Sequence, residues 1–178
     1  MQYELYKEKF NTFFDSALIK GQIKEAVKMV KASSRIFFLG NGGSNSICSH
    51  MMEDFGKMAR IPSFAFSDPP LVTCYANDYG WEKAMEEYLK LYYTDKNDLL
   101  VGISSSGESK NIINAVNLAN QRNGNTITLS GFKAGNSLSK LGKLNFHTEV
   151  SNFGMAECFH QVILHSILDD IMPHRDLK

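Results

Sequence analysis

Apolar residues recur along this chain with two different periodicities. Near the N-terminus they fall every three or four positions, which predicts two helices over residues 2–18 and 22–32, separated by Gly21. Farther along, short apolar runs alternate with segments of helical periodicity. The runs cover residues 36–39, 64–66, 99–103, 126–129 and 144–146. The helical segments cover residues 45–59, 81–93, 109–122 and 155–172. This alternation predicts a three-layer α/β sandwich around a central, mostly parallel five-stranded sheet.

Two polar loops follow predicted strands, at the edge where open parallel sheets bind their ligands. The first, residues 40–44, reads GNGGS and leads into a predicted helix. Gly42 and Gly43 let backbone amides approach an anion closely, and Asn41 and Ser44 add polar side chains. The spacing matches neither GxGxxG nor a lysine-containing nucleotide loop, so a dinucleotide or a nucleoside triphosphate is not indicated. A tight strand-to-helix turn without any ligand would use similar residues.

The second loop carries four hydroxyl groups directly after the most apolar strand. Ser104, Ser105, Ser106 and Ser109 precede or open the helix predicted over residues 109–122. An ordinary helix N-cap needs one hydroxyl, whereas this loop offers four neutral donors and no bulky side chain among them. The two loops together therefore predict a phosphate-binding site at the carboxyl ends of two parallel strands.

The composition restricts the kinds of partner. The 178 residues include 19 lysines and arginines against 19 aspartates and glutamates, so no basic field is available for nucleic acid or an anionic membrane. No apolar stretch has the length of a membrane span or the features of a signal peptide. The three cysteines lack CxxC spacing and indicate reduced thiols. We therefore expect one cytoplasmic domain, residues 1–178, that binds a small molecule.

Several short motifs of this chain occur together in one protein family. They are GNGGS at 40–44, HMMED at 50–54, SD at 67–68, NDYG at 77–80, GISSSGES at 102–109 and ExxHxxxxH at 157–165. With them the chain resembles the sugar isomerase (SIS) domain family and, within it, the phosphoheptose isomerases. The resemblance covers almost the whole chain and implies a flavodoxin-like SIS fold. It also implies interconversion of sedoheptulose 7-phosphate and glycero-manno-heptose 7-phosphate, a step toward bacterial lipopolysaccharide or capsule.

The same resemblance implies an assembly. Members of this branch are homotetramers whose active sites lie between subunits. The paired N-terminal helices, residues 1–33, are then expected to take part in oligomerisation, and residues 34–178 to form the α/β core.

The resemblance further assigns roles to individual residues. Asp54 matches the family's general base, and His165 matches its general acid. The positions that match or adjoin substrate contacts are Asn41, Gly42, Gly43, Ser44, Asp78, Ser104, Ser105, Ser106, Ser109 and Glu157. Some members hold zinc, and the matching positions here are His50, Asp54, Glu157 and His165. One zinc ion per subunit is therefore the candidate cofactor.

The chain departs from the family pattern at four places near these residues. The general base is a glutamate in the family and an aspartate, Asp54, here. An arginine that usually follows has no counterpart, because residues 56–59 read GKMA. The loop that leads into the last helix, at residues 153–154, is about three residues shorter and lacks an acidic substrate contact. A glutamine of the family is Glu157 in this chain.

Helical spacing is compatible with the assigned roles. His50 and Asp54 share one face at i,i+4, and Glu157 and His165 lie within about a quarter-turn of each other. A carboxylate and an imidazole suit proton transfer through an enediol, and two of each match a four-coordinate zinc shell. Without the family pattern, the first pair would be interpreted as a surface ion pair and His165 as a core histidine. His160, about 140° from His165, is expected to be structural or to lie in an interface.

Two other functions stay open at this point. The chain could be a non-catalytic SIS module that binds a sugar phosphate or a partner protein, or an isomerase or epimerase of another phosphosugar. The loss of the glutamate and of the arginine favours the non-catalytic module. The presence of His50, Glu157 and His165 favours the enzyme.

Overall fold

A computed structural model of the chain describes residues 2–172. Helices and strands alternate over most of this length. The helices are α1 (Gln2–Asp15), α2 (Ala17–Lys31), α3 (Gly43–Lys57), α4 (Pro69–Tyr79), α5 (Trp81–Tyr92), α6 (Lys110–Gln121) and α7 (Phe153–Ile171), with a 3-10 turn at Leu138–Lys140. The strands are β1 (Arg35–Leu39), β2 (Ser63–Ala65), β3 (Asp98–Ser104), β4 (Asn125–Gly131) and β5 (Leu144–Thr148).

The five strands form one sheet in the order β2-β1-β3-β4-β5, and every neighbouring pair is parallel. The central strand, β3, is buried along all seven of its residues, as expected for a parallel strand that is covered on both faces. One apolar core packs α2, α3 and α7 against one face of the sheet, and a second packs α4, α5 and α6 against the other. The predicted three-layer α/β sandwich is confirmed.

One local prediction was wrong. The break between the N-terminal helices falls at Ser16, whose backbone is extended, and Gly21 lies inside α2. Glycine there is tolerated because Ile19, Ala26 and Val30 on the same helix are buried, and this burial outweighs a propensity cost of about 1 kcal/mol. Residues 77–79 of the NDYG motif form the last turn of α4.

The sheet order brings the two polar loops together. Leu39 near the end of β1 pairs in register with Gly102 of β3, so the loops that follow these strands leave the sheet side by side. The first loop enters α3 at Gly43 and the second enters α6 at Lys110. Two helix N-termini, each with unpaired amide groups, therefore start at the same edge of the sheet. Within residues 2–172, no helix has the length and apolar character needed to cross a membrane.

Candidate active site

Three serine hydroxyls converge in the loop after β3. The Oγ atom of Ser104 lies 2.9 Å from that of Ser109 and 3.4 Å from that of Ser106. Ser105 points elsewhere: its residue lines the same cavity, but its Oγ is buried without a hydrogen-bond partner. This difference follows from the strand geometry, since consecutive side chains at the end of β3 alternate in direction. Ser104, Ser106 and Ser109 form what we call the serine cradle.

The serine cradle is held in place by the segment that precedes the 3-10 turn. Gly107 has a φ of 69°, and a Cβ atom there would overlap the side chain of Asn136, so only glycine fits this turn. The carboxylate of Glu108 accepts hydrogen bonds from the backbone amide and the hydroxyl of Ser137, at 2.9 and 2.6 Å. These bonds hold the pKa of Glu108 below its ordinary value. The negative charge of Glu108 is thus directed away from the cradle.

The glycine-rich loop after β1 is fixed by a second contact. The side-chain amides of Asn41 and Asn111 exchange two hydrogen bonds, of 3.0 and 2.8 Å. Asn111 lies on the first turn of α6 and is 3% exposed, so this pair connects the two loops across adjacent strands. The sequence did not identify Asn111, because α6 contains several asparagines and nothing in their spacing distinguishes this one.

The two loops and the start of α7 enclose a cavity of about 90 Å³, which we call the serine cavity. Its lining residues are Asn41, Ser44, Ile103, Ser104, Ser105, Ser106, Ser109, Phe153 and Glu157. This volume is well below the roughly 300–1,000 Å³ of a drug-sized pocket, so the cavity fits one small group of a ligand. Serine residues line the cavity beside the starts of α3 and α6, an arrangement that suits an anion such as phosphate.

A second group of side chains lies where α3 packs against α7. Oδ2 of Asp54 is 3.1 Å from Nε2 of His50 and 4.0 Å from Nδ1 of His165. The two imidazole rings meet edge to face, with centroids 5.2 Å apart. One ligand atom from each of the three residues lies within 4.8 Å of the others. We call these three residues the His-Asp cluster.

The His-Asp cluster matches the donor set of a catalytic zinc site. Such sites use three protein ligands and keep one position for water or substrate, and imidazole nitrogens and a carboxylate oxygen are ordinary zinc ligands. His50, Asp54 and His165 could therefore hold a divalent ion. Bound there, the ion would polarise the carbonyl and hydroxyl oxygens of a sugar.

Other predicted site residues lie elsewhere. Glu157 is not part of the His-Asp cluster; it lines the serine cavity, and its carboxylate packs against the Cα atom of Gly43. Asp78 is exposed on the last turn of α4, where its carboxylate contacts Cys74 and Asn77 of the same helix, and it does not line the cavity. His160 is completely buried away from the cluster, as expected for a structural residue.

Comparison with known proteins agrees with this geometry. The SIS domain family matches residues 14–131 of the chain. A phosphoheptose isomerase of Fusobacterium nucleatum is 31% identical over 178 aligned residues, which cover 93% of this chain and 91% of that protein. A phosphoheptose isomerase of Sodalis glossinidius is 32% identical over 154 aligned residues, which cover 82% of this chain and 77% of that protein. The chain belongs to the phosphoheptose isomerase branch of the SIS domain family. A solved phosphoheptose isomerase from Neisseria gonorrhoeae shares the fold, with a TM-score of 0.84 and 24% identity over 96% of this chain and 95% of that one.

The departures from the phosphoheptose isomerase pattern have visible structural counterparts. Lys57, in the segment that lacks the arginine, is exposed and pairs with Glu53 at 3.7 Å, so it does not reach the cavity. In the shortened loop, Phe153 is 63% exposed and packs edge to face on Phe132, with ring centroids 4.9 Å apart. An aromatic ring therefore lies at the cavity.

Proposed function

We propose that this protein is an aldose-ketose isomerase that converts sedoheptulose 7-phosphate to glycero-manno-heptose 7-phosphate. One observation carries the proposal: α3 and α7 each contribute residues to the serine cavity and, about two turns farther along the helix, to the His-Asp cluster. Ser44 and His50 are separated by about 9 Å along α3, and Glu157 and His165 by about 12 Å along α7. This separation is comparable to an extended seven-carbon chain, which carries its phosphate at one end and its reacting carbons at the other.

The proposed chemistry needs a base and an acid at the reacting carbons. Asp54 removes the proton from C1 of the ketose, and His165 donates a proton to the carbonyl oxygen on C2, which gives an enediol. Return of the first proton to C2, with loss of the proton on the C1 hydroxyl, gives the aldose. His50, 3.1 Å from Asp54, orients the carboxylate. The serine cradle binds the phosphate and thereby holds C1 and C2 of the sugar beside Asp54 and His165.

We also propose the finer features that the family resemblance implies. A zinc ion in the His-Asp cluster is supported by its two imidazoles and one carboxylate. A homotetramer with active sites between subunits is supported by α1, which has no buried residue and exposes Tyr3 and Leu5. A single domain in the cytoplasm is supported by three free cysteines. The product is proposed to enter surface polysaccharide.

The test is an assay of the purified protein with sedoheptulose 7-phosphate, in which aldose formation is followed by NMR. In deuterated water the enediol route predicts incorporation of deuterium at C2 of the aldose. Asp54→Asn is the matched control, because it keeps the size of the side chain and removes the base. If the wild-type protein binds the sugar phosphate and forms no aldose, the chain is a non-catalytic SIS module.

A further inference from the structure

The glycine-rich loop and the serine cradle lead into helices that lie on opposite faces of the sheet. Residues 40–44 lead into α3, which packs on one face, and the cradle leads into α6, which packs on the other. A point where neighbouring parallel strands send their helices to opposite faces is where open α/β sheets bind ligands. Because α3 and α6 are separated by the sheet, packing between these helices cannot set the distance between the two loops.

One pair of side chains spans this division. The amides of Asn41 and Asn111 exchange hydrogen bonds of 3.0 and 2.8 Å. Within the described part of the chain, these are the only side-chain hydrogen bonds that residues 40–44 make with other residues. Gly42 in the same loop has a φ of 54°, and a loop with the conformational freedom of glycine needs an anchor to keep one shape. The amide pair provides that anchor.

A third side chain sets the orientation of the pair. The Nδ2 atom of Asn111 lies 3.6 Å from the thioether sulfur of Met85, which is completely buried. This sulfur can accept a weak hydrogen bond and cannot donate one, so the amide nitrogen of Asn111, and not its oxygen, belongs on that side. Rotation of only one of the two amides would set nitrogen against nitrogen and oxygen against oxygen. Met85 therefore fixes the orientation of Asn111, and Asn111 fixes that of Asn41.

The donors and acceptors of Asn41 are only half used by this pair. A side-chain amide has two N–H groups and an oxygen with two lone pairs. Asn111 engages one N–H group and one lone pair of Asn41, which leaves one of each on a residue that lines the serine cavity. Asn111 itself is buried and is not among the lining residues, so it can affect a ligand only through Asn41.

We propose that Asn111 is a positioning residue of the phosphate site: it holds the amide of Asn41 in one orientation and at one distance from the serine cradle, so that both loops bind the same ligand without rearrangement. This inference rests on the proposed phosphate site. A site that has its binding geometry before the ligand arrives pays less ordering entropy on binding. The loss of Asn111 should therefore weaken ligand binding, whereas a purely structural residue would change only stability.

The experiment measures the affinity for inorganic phosphate by calorimetry on the full-length chain. Asn111→Leu keeps the approximate size of the side chain and cannot bond to Asn41, and it should bind phosphate at least about tenfold more weakly than the wild-type protein. Asn120→Leu is the matched control, because it removes hydrogen bonds to Leu141 and from Thr126 at the other end of α6. This control should keep the wild-type affinity within about threefold, even where it lowers the unfolding temperature as much.

A double-mutant cycle tests whether the effect passes through Asn41. In an Asn41→Ala background, Asn111→Leu should change the phosphate affinity by less than about threefold, since the side chain that it positions is already gone. An equal loss in both backgrounds would overturn the proposal. Wild-type affinity in a folded Asn111→Leu variant would also overturn it, and would leave the proposed phosphate site standing.

A measurement on the wild-type protein does not depend on any variant folding. The side-chain amide protons of Asn111, followed by NMR, should exchange slowly with solvent both with and without phosphate, because the pair forms before the ligand binds. Fast exchange in the absence of phosphate contradicts the proposal. Weakened phosphate binding in Asn111→Leu, in a protein whose wild type shows no isomerase activity, would support this inference and overturn the proposed reaction alone.

Discussion

The Oδ2 atom of Asp54 lies 3.1 Å from Nε2 of His50, one turn earlier on α3, and the same oxygen is 4.0 Å from His165 on α7. One carboxylate oxygen thus faces two imidazoles from two helices. The side chain of Asp54 is 14% exposed, so packing holds most of it in place while a small part stays accessible. The family uses a glutamate here, one methylene longer.

The first prediction concerns the base. Asp54→Asn should reduce kcat by at least about 100-fold and change the affinity for sugar phosphate by less than about threefold, because we propose that the serine cradle, and not this carboxylate, holds the phosphate. The measurement is steady-state kinetics together with calorimetry of the bound sugar phosphate. Turnover at the wild-type rate would show that Asp54 is not the base.

The second prediction concerns the length of the same side chain. Because Oδ2 of Asp54 already contacts His50, the longer carboxylate of Asp54→Glu should overshoot this contact, and kcat should fall by roughly 100-fold, the cost of a misplacement of about 1 Å. The rate is measured with sedoheptulose 7-phosphate at saturation. A gain in rate would instead mean that the aspartate site is a weakened version of the glutamate site.

The third prediction separates two neighbouring serines. Ser106→Ala should weaken phosphate binding by about 1–3 kcal/mol, because it removes one hydroxyl of the serine cradle. Ser105→Ala should have a smaller effect, since the Ser105 hydroxyl is buried without a partner and its removal leaves no other group unsatisfied. Calorimetry with inorganic phosphate measures both. Equal losses in the two variants would place the phosphate elsewhere in the cavity.

The fourth prediction concerns metal. The purified protein should contain about one divalent ion per chain, which EDTA or His165→Ala removes, because the His-Asp cluster then has only two ligands. His160→Leu, outside the cluster, should retain the ion. Elemental analysis after growth with added zinc is the measurement, and a protein without stoichiometric metal would contradict the prediction.

The fifth prediction concerns acid stability. His160 is completely buried, and burial lowers its pKa to about 4 from an ordinary value of 6.5, while the nearby backbone of Ser130 offsets only part of this effect. Between these two values the unfolded chain binds more protons than the folded one, so the free energy of unfolding falls as the pH falls. The expected loss between pH 7 and pH 5 is about 2 kcal/mol from this residue.

The matched variant for that experiment is His160→Leu, which removes the ionisable group and keeps the site apolar. Urea titrations at pH 7 and pH 5 should show a smaller difference in unfolding free energy for this variant than for the wild-type protein. Burial lowers the pKa of His147 as well, so part of the acid sensitivity should persist. The same difference in both proteins would show that His160 does not contribute.

Much of the fold could be predicted because parallel strands that are buried on both faces leave an uninterrupted apolar signal, as in β3. The contact between His50 and Asp54 also follows from spacing on one helix. The contact between Asp54 and His165 does not, since it depends on how α3 packs on α7. Glu157 illustrates the limit: its angle on α7 is close to that of His165, yet two turns separate them along the helix axis.

The serine cavity draws on residues from Asn41 to Glu157, and its walls are completed only when α7 docks on α3. During synthesis, the two loops are therefore translated long before the segment that closes the cavity. An anion that binds only the closed cavity stabilises the folded chain and no earlier fragment. Sugar phosphate should consequently slow global unfolding while leaving the early pairing of β1 with β3 unaffected.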